Sequence, residues 1–240
     1  MSDLGHDKTL EKAFEGRSTA RREPKRPLLE AALLLAAFYL PAYMPWASAF
    51  APRDMTKASY HLSLIAVDLP RMLLVLYLMT ASDGLGPFGV KRITARDPLR
   101  ALFTALGAMA IVLFSGLCFS LFGLQNPLMA IAQSAPRAQA MLVPLVLVSS
   151  VAVGYCEELF FRSYLMRRLG QAGLSLFWSA IASSLVFGAG HSYQGIIGIV
   201  SGSLLGLYFV WRWIDGGNIH EIGLGHGLYD AVVTAIAIYS

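Results

Sequence analysis

Three stretches of the chain contain no Asp, Glu, Lys or Arg: Ala101 to Pro136, Ala138 to Cys156, and Leu169 to Trp211. A helix of about 20 apolar residues crosses the roughly 30 Å hydrocarbon core of a bilayer, so each stretch is long enough to span a membrane. Leu169 to Trp211 is too long for one crossing, and the turn-forming run Gly188-Ala-Gly-His-Ser-Tyr-Gln-Gly195 divides it. Three further runs are almost as clean: Leu28 to Ala51 holds only Glu30, His61 to Ser82 holds Asp68 and Arg71, and Ile222 to Ser240 holds His226 and Asp230. Lipid leaves only helices and closed barrels as spanning structures, and these runs lack the alternation of a barrel strand. The expectation is an all-α, polytopic transmembrane helix bundle of about seven spans, with six to eight as the range.

Composition agrees. Charged residues make up 14% of the 240, against about 25% in a soluble domain, too few to cover a globule with a polar surface. The same arithmetic excludes a disordered chain, a collagen and a disulfide-stapled domain. The net charge of +4 does not indicate a nucleic-acid partner, because the basic residues flank apolar runs, as membrane insertion requires. Cys118 and Cys156 lie within apolar runs and form neither a disulfide framework nor a thiolate metal site.

Residues 1–27 read as an uncleaved polar tail preceding a membrane domain over 28–240. Seven basic residues in that tail, then Lys91, Arg92, Arg96 and Arg100, then Arg162, Arg167 and Arg168, alternate with sparser positive charge at Arg53, Lys57 and Arg137. By the positive-inside rule the amino terminus is expected in the cytoplasm, and the expected location is integral to the plasma (inner) membrane. Lipid and a membrane-associated peptide are then its expected partners.

Ionisable residues inside a span are costly and are functional candidates by default. Glu157 and Glu158 are adjacent, so they point about 100° apart on a helix. Glu158 and Arg162, at i and i+4, share a face and can pair, which leaves Glu157 without a local cation. An acid in that situation suits the task of a general base toward water. Phe187 and His191 lie one turn apart across the small Gly188-Ala-Gly190 segment. His226 and Asp230 also lie at i and i+4, so the carboxylate can fix the imidazole tautomer or join it as a metal ligand. Counting about 1.5 Å per residue back from Arg168 as a membrane boundary puts Glu157 roughly 16 Å deep. Three spans can thus bring Glu157, His191, His226 and Asp230 to one buried point suited to activating water. Asp68 and Arg71 read as a neutralising pair, and Trp211, Arg212 and Trp213 as an interfacial belt.

The motifs Glu157-Glu158-x-x-x-Arg162, Phe187-x-x-x-His191 and His226-x-x-x-Asp230 occur in that order on three successive apolar segments within 141–240. In this the chain resembles the type II CAAX prenyl protease and Abi family, also called CPBP intramembrane proteases. The resemblance implies a multi-helix membrane endopeptidase whose water is activated by Glu157 and His191, with His226 and Asp230 stabilising the oxyanion, on CAAX-like or other membrane-associated substrates. Glu158 joins the catalytic set, with Arg162 and Phe187 in support. Asp230 departs from the usual Asn, and an ionised carboxylate cannot donate to an oxyanion. A second route opens there, in which Glu157, His191, His226 and Asp230 hold a divalent metal ion such as zinc with one position free. Two other functions remain as alternatives: a bacteriocin-immunity or regulatory membrane protein of the same family, and a small proton-coupled transporter.

Overall fold

A computed structural model describes residues 25–40, 54–124, 139–216 and 218–239. Seven helices account for most of these residues, and no strand occurs among them. They are α1 (Lys25–Tyr39), α2 (Ala58–Ser82), α3 (Asp97–Leu121), α4 (Ala140–Gln171), α5 (Leu176–Gly190), α6 (Gly195–Gly216) and α7 (Ile219–Tyr239). Five of them, α2, α3, α4, α6 and α7, are long and apolar enough to cross a membrane. The other two have 15 residues each, about 22 Å at 1.5 Å per residue and so short of the hydrocarbon thickness. The expected continuation of the first span to Ala51 and most of the polar tail lie outside the described residues.

Within the described residues each apolar run thus forms helix, and the long run from Leu169 breaks where its glycines are. α5 ends at Gly190, a turn of 3₁₀ helix covers Ser192–Gln194, and α6 starts at Gly195, whose φ of 71° favours a residue without a Cβ. Proline stands in the first turn of α3, where its missing N–H costs nothing.

The charge-free run that stops at Cys156 does not mark the end of its helix. α4 runs on through Glu157 and Glu158, widens into a π-helix over Leu159–Leu165 and continues to Gln171. Arg162, Arg167 and Arg168 therefore belong to the helix instead of a loop, and all three are buried. The helix continues because each cation meets a partner. Arg162 pairs with Glu158, while Arg168 pairs with Glu30 at 3.1 Å and approaches Asp83, which also lies 3.6 Å from Arg167. The Tyr164 hydroxyl donates to the same Glu30. Buried arginine on a mid-chain helix is expensive unless compensated in this way.

α4 and α7 form the centre. α7 packs between α4 and α3, α4 packs against α2, and α6 lies against α5 and α3. Small residues permit the close approach: a Cβ on Gly154 of α4 would sit 2.6 Å from the backbone nitrogen of Gly227 in α7, and one on Gly206 of α6 2.9 Å from Cα of Ser184 in α5. Leu106, Leu113, Phe114, Leu117 and Leu121 of α3 face outward and exposed, the surface a lipid-facing helix presents.

Arg212 departs from the interfacial-belt reading. It reaches Glu221 at the start of α7, a carboxylate that also meets Arg100 at 3.2 Å and accepts from the Thr104 hydroxyl. Trp213 is buried and only Trp211 of that trio is exposed.

Candidate active site

The long π segment begins one residue after Glu158 and places the acidic pair at the middle of α4, where α2, α5 and α7 converge. π-helical turns inside α-helices frequently mark functional sites. Glu158 is completely buried and bridges two partners: its Oε2 lies 3.1 Å from Nε of Arg162, and its Oε1 accepts from Nδ1 of His226 at 2.9 Å. That bond fixes the His226 ring and leaves Nε2 as its working nitrogen. Nε2 in turn faces two carboxylates, Oδ2 of Asp230 at 3.5 Å and Oε2 of Glu157 at 3.8 Å. Neither contact is among the direct hydrogen bonds of the site.

The Arg162 guanidinium makes a charge contact with Glu158, yet its Nη1 and Nη2 find no hydrogen-bond acceptor among the described residues. Aromatic faces serve instead: the guanidinium carbon is 4.2 Å from the ring of Phe187 and 5.5 Å from that of Phe209. Phe187 thereby supports the ion pair from α5, and its ring also stands edge-on to His226 with centroids 5.9 Å apart. Phe209 of α6 stacks on His226 at 4.7 Å. No motif reading pointed to Phe209, since an aromatic residue in an apolar helix carries no distinguishing signal.

His191 caps the end of α5. Its Nδ1 donates to the Phe187 carbonyl at 2.9 Å, which leaves Nε2 free to accept a proton. The ring sits against Gly202 of α6, where an added Cβ would be 3.2 Å from Nδ1. His191 interacts electrostatically with His226 and Asp230. The fold therefore gathers Glu157, Glu158, Arg162, His226 and Asp230 into one contact group, with Phe187 as its platform and His191 at its margin. Glu157 has His226 as a neighbouring imidazole, with Nε2 3.8 Å from its Oε2.

Asp68 is a further member that the sequence reading set aside. It pairs with Arg71 at 3.1 Å as expected, and from α2 it also interacts electrostatically with Glu157. Arg71 is held in turn by the Phe38 carbonyl at 2.6 Å.

Among the described residues, no three His, Cys, Asp or Glu side chains are grouped as a metal-binding set. One nitrogen of His226 is committed to Glu158, so the donors that a zinc ion would need are partly spent on each other.

A polytopic helical membrane protein with acids and imidazoles joined between its central helices is the class that fold and site define together. Within it, residues 139–232 match the family model of the type II CAAX prenyl endopeptidases, Rce1-like. This match covers the three motifs and agrees with the family they resemble. No curated protein and no solved structure matches the chain.

Proposed function

We propose that the protein is an intramembrane endopeptidase in which Glu157 activates water against a peptide carbonyl. The observation that carries the reading is the orientation of His226, whose Nδ1 is anchored on Glu158 while Nε2 faces Glu157 and Asp230. A water bound among these three groups loses its proton to the Glu157 carboxylate as its oxygen attacks the carbonyl carbon, and Glu157 returns that proton to the amine nitrogen as the carbon–nitrogen bond breaks. His226, when protonated at Nε2, donates to the developing oxyanion and is held in line by Glu158 and Arg162. His191 offers a second proton acceptor at the edge of the site. Asp230 orients Nε2 from one turn further along α7, a task an ionised carboxylate can perform where oxyanion donation is closed to it. The surrounding helices keep bulk water out, which strengthens each of these electrostatic contacts.

Substrates are membrane-associated peptides or lipid-modified proteins, the class suggested by the family match over 139–232. Purified protein in detergent, assayed for peptide cleavage as wild type and as Glu157→Gln, tests the proposal. Cleavage lost in the variant supports it, and full cleavage retained overturns it. The same assay with chelator measures whether a divalent ion contributes.

A further inference from the structure

Outside the Glu157 cluster, the helix ends hold a second polar feature. α1 begins at Lys25, α2 ends at Ser82, and the last turns of α4 carry Arg167 and Arg168. Where these ends meet, a recess of about 200 Å³ opens, with Arg26, Glu30, Leu78, Ala81, Ser82 and Arg168 in its wall. That is the space of about six or seven water molecules at roughly 30 Å³ each, enough for a small polar headgroup and too little for a stretch of polypeptide.

Charge around the recess does not cancel. The Arg168 side chain is 1% exposed and held from three sides: Nη2 donates to Glu30 at 3.1 Å and to Ser82 at 3.0 Å, and Nη1 donates to Gln171 at 2.8 Å. Asp83 lies 3.6 Å from both Arg167 and Arg168. Two acids, Glu30 and Asp83, are thus matched by two buried arginines. Arg26 is exposed, and among the described residues no carboxylate pairs with it. One cation is left over on the rim, and a guanidinium is the side chain whose planar fork fits phosphate oxygens.

An apolar strip leads away from that charge. Helical spacing puts Arg26, Leu29 and Leu33 on one face of α1, and Leu74, Leu78 and Ala81 on one face of α2. Leu29, Leu33 and Leu74 are exposed, so a cation and hydrocarbon-facing leucines follow each other along one surface. Such a surface selects an amphiphile over a free anion, and basic pockets between spans are a recurring form of headgroup site. We propose that the recess binds the phosphate of an anionic membrane phospholipid, with Arg26 as its charge partner and the acyl chains lying along Leu29, Leu33 and Leu74. The lipid joins α1 to α2 and α4 at the end where Glu30 already ties α1 to Tyr164 and Arg168.

Full-length protein, delipidated in detergent, tests this through its thermal midpoint with added phosphatidylglycerol, phosphatidylcholine or inorganic phosphate. Phosphatidylglycerol is expected to raise the wild-type midpoint by about 5 °C near saturation, and the other two to raise it by much less. Arg26→Gln removes the cation and Ala81→Trp fills the recess. Each should lose the rise while keeping the lipid-free midpoint, and Arg26→Lys should retain most of it. An equal rise from phosphatidylcholine overturns the proposal, as does one from inorganic phosphate alone, which marks a site for free anions. A full rise in either Arg26→Gln or Ala81→Trp overturns it as well. The midpoint is blind to hydrolysis, so this result and that of the cleavage assay are separate.

Discussion

Oε1 of Glu158 accepts a hydrogen bond from Nδ1 of His226 at 2.9 Å, although the two residues are 68 positions apart in the chain. The other oxygen of the same carboxylate faces Arg162 at 3.1 Å, and none of the three side chains has appreciable exposure. The bond ties the middle of α4 to α7 and sets the direction in which the imidazole can work.

Removing the charge from Glu158 leaves Arg162 buried and uncompensated, a change that costs about 3–5 kcal/mol in comparable pairs. Glu158→Gln is expected to lower the thermal midpoint in detergent and to abolish cleavage. The double variant Glu158→Gln with Arg162→Met should recover most of the midpoint, since replacing a whole buried pair by neutral groups is often close to neutral. Thermal unfolding of the three proteins side by side checks both statements.

Glu157 behaves differently because it is partly exposed and lies beyond hydrogen-bond distance of His226. Glu157→Gln is expected to leave the midpoint unchanged and to reduce kcat by about 10²–10⁴-fold, the usual contribution of a general base. A variant that loses its fold together with its activity would assign Glu157 to structure instead.

Asp230 is expected to tolerate an amide and not an alkyl group. Asn keeps an oxygen that can accept from Nε2 of His226 and adds a donor for the oxyanion, so Asp230→Asn should cleave within about tenfold of wild type, a change of about 1.4 kcal/mol in the barrier. Asp230→Leu should be inactive while still folded, as judged by monodispersity in detergent. Steady-state rates for the two variants decide between an orienting role and an indispensable carboxylate.

Gly154 and Gly227 set the spacing of the two central helices. A Cβ on either would come within 2.6 Å of backbone atoms on the opposite helix, which cannot swing aside as a side chain can. Gly227→Ala is expected to cost about 1–3 kcal/mol through overpacking. It should also slow cleavage by moving His226 relative to Glu157, which thermal unfolding and cleavage rates would register together.

Much of this was legible beforehand, for identifiable reasons. Membrane helices announce themselves by the absence of charge, so the runs from Ala101, Ala138 and Leu169 foretold α3, α4 and the α5–α6 pair, including the break at the Gly188–Gly195 cluster. The Glu158–Arg162 pair followed from helical spacing and is present at 3.1 Å. Other features depended on long-range pairing, which linear spacing does not encode. Arg167 and Arg168 looked like a cytoplasmic loop because their partners, Asp83 and Glu30, lie on α2 and α1. Arg212 looked interfacial until Glu221 and Thr104 surrounded it. The junction of Glu158 with His226 joins two motifs that the sequence presents as separate, and Phe209 had nothing to distinguish it from its lipid-facing neighbours.

The widened coil from Leu159 to Leu165 also constrains how α4 can change. Its i to i+5 pattern accommodates residues that an ordinary helix would have to expel. Deleting one residue inside it would return the backbone to standard winding and leave the helix on either side in nearly its present phase. The change would fall on the wide coil itself, displacing Arg162 from Glu158 and from the rings of Phe187 and Phe209. This part of the polypeptide therefore works like a slack link: taking it up spares both ends, and what is lost is the setting of the side chain it carries.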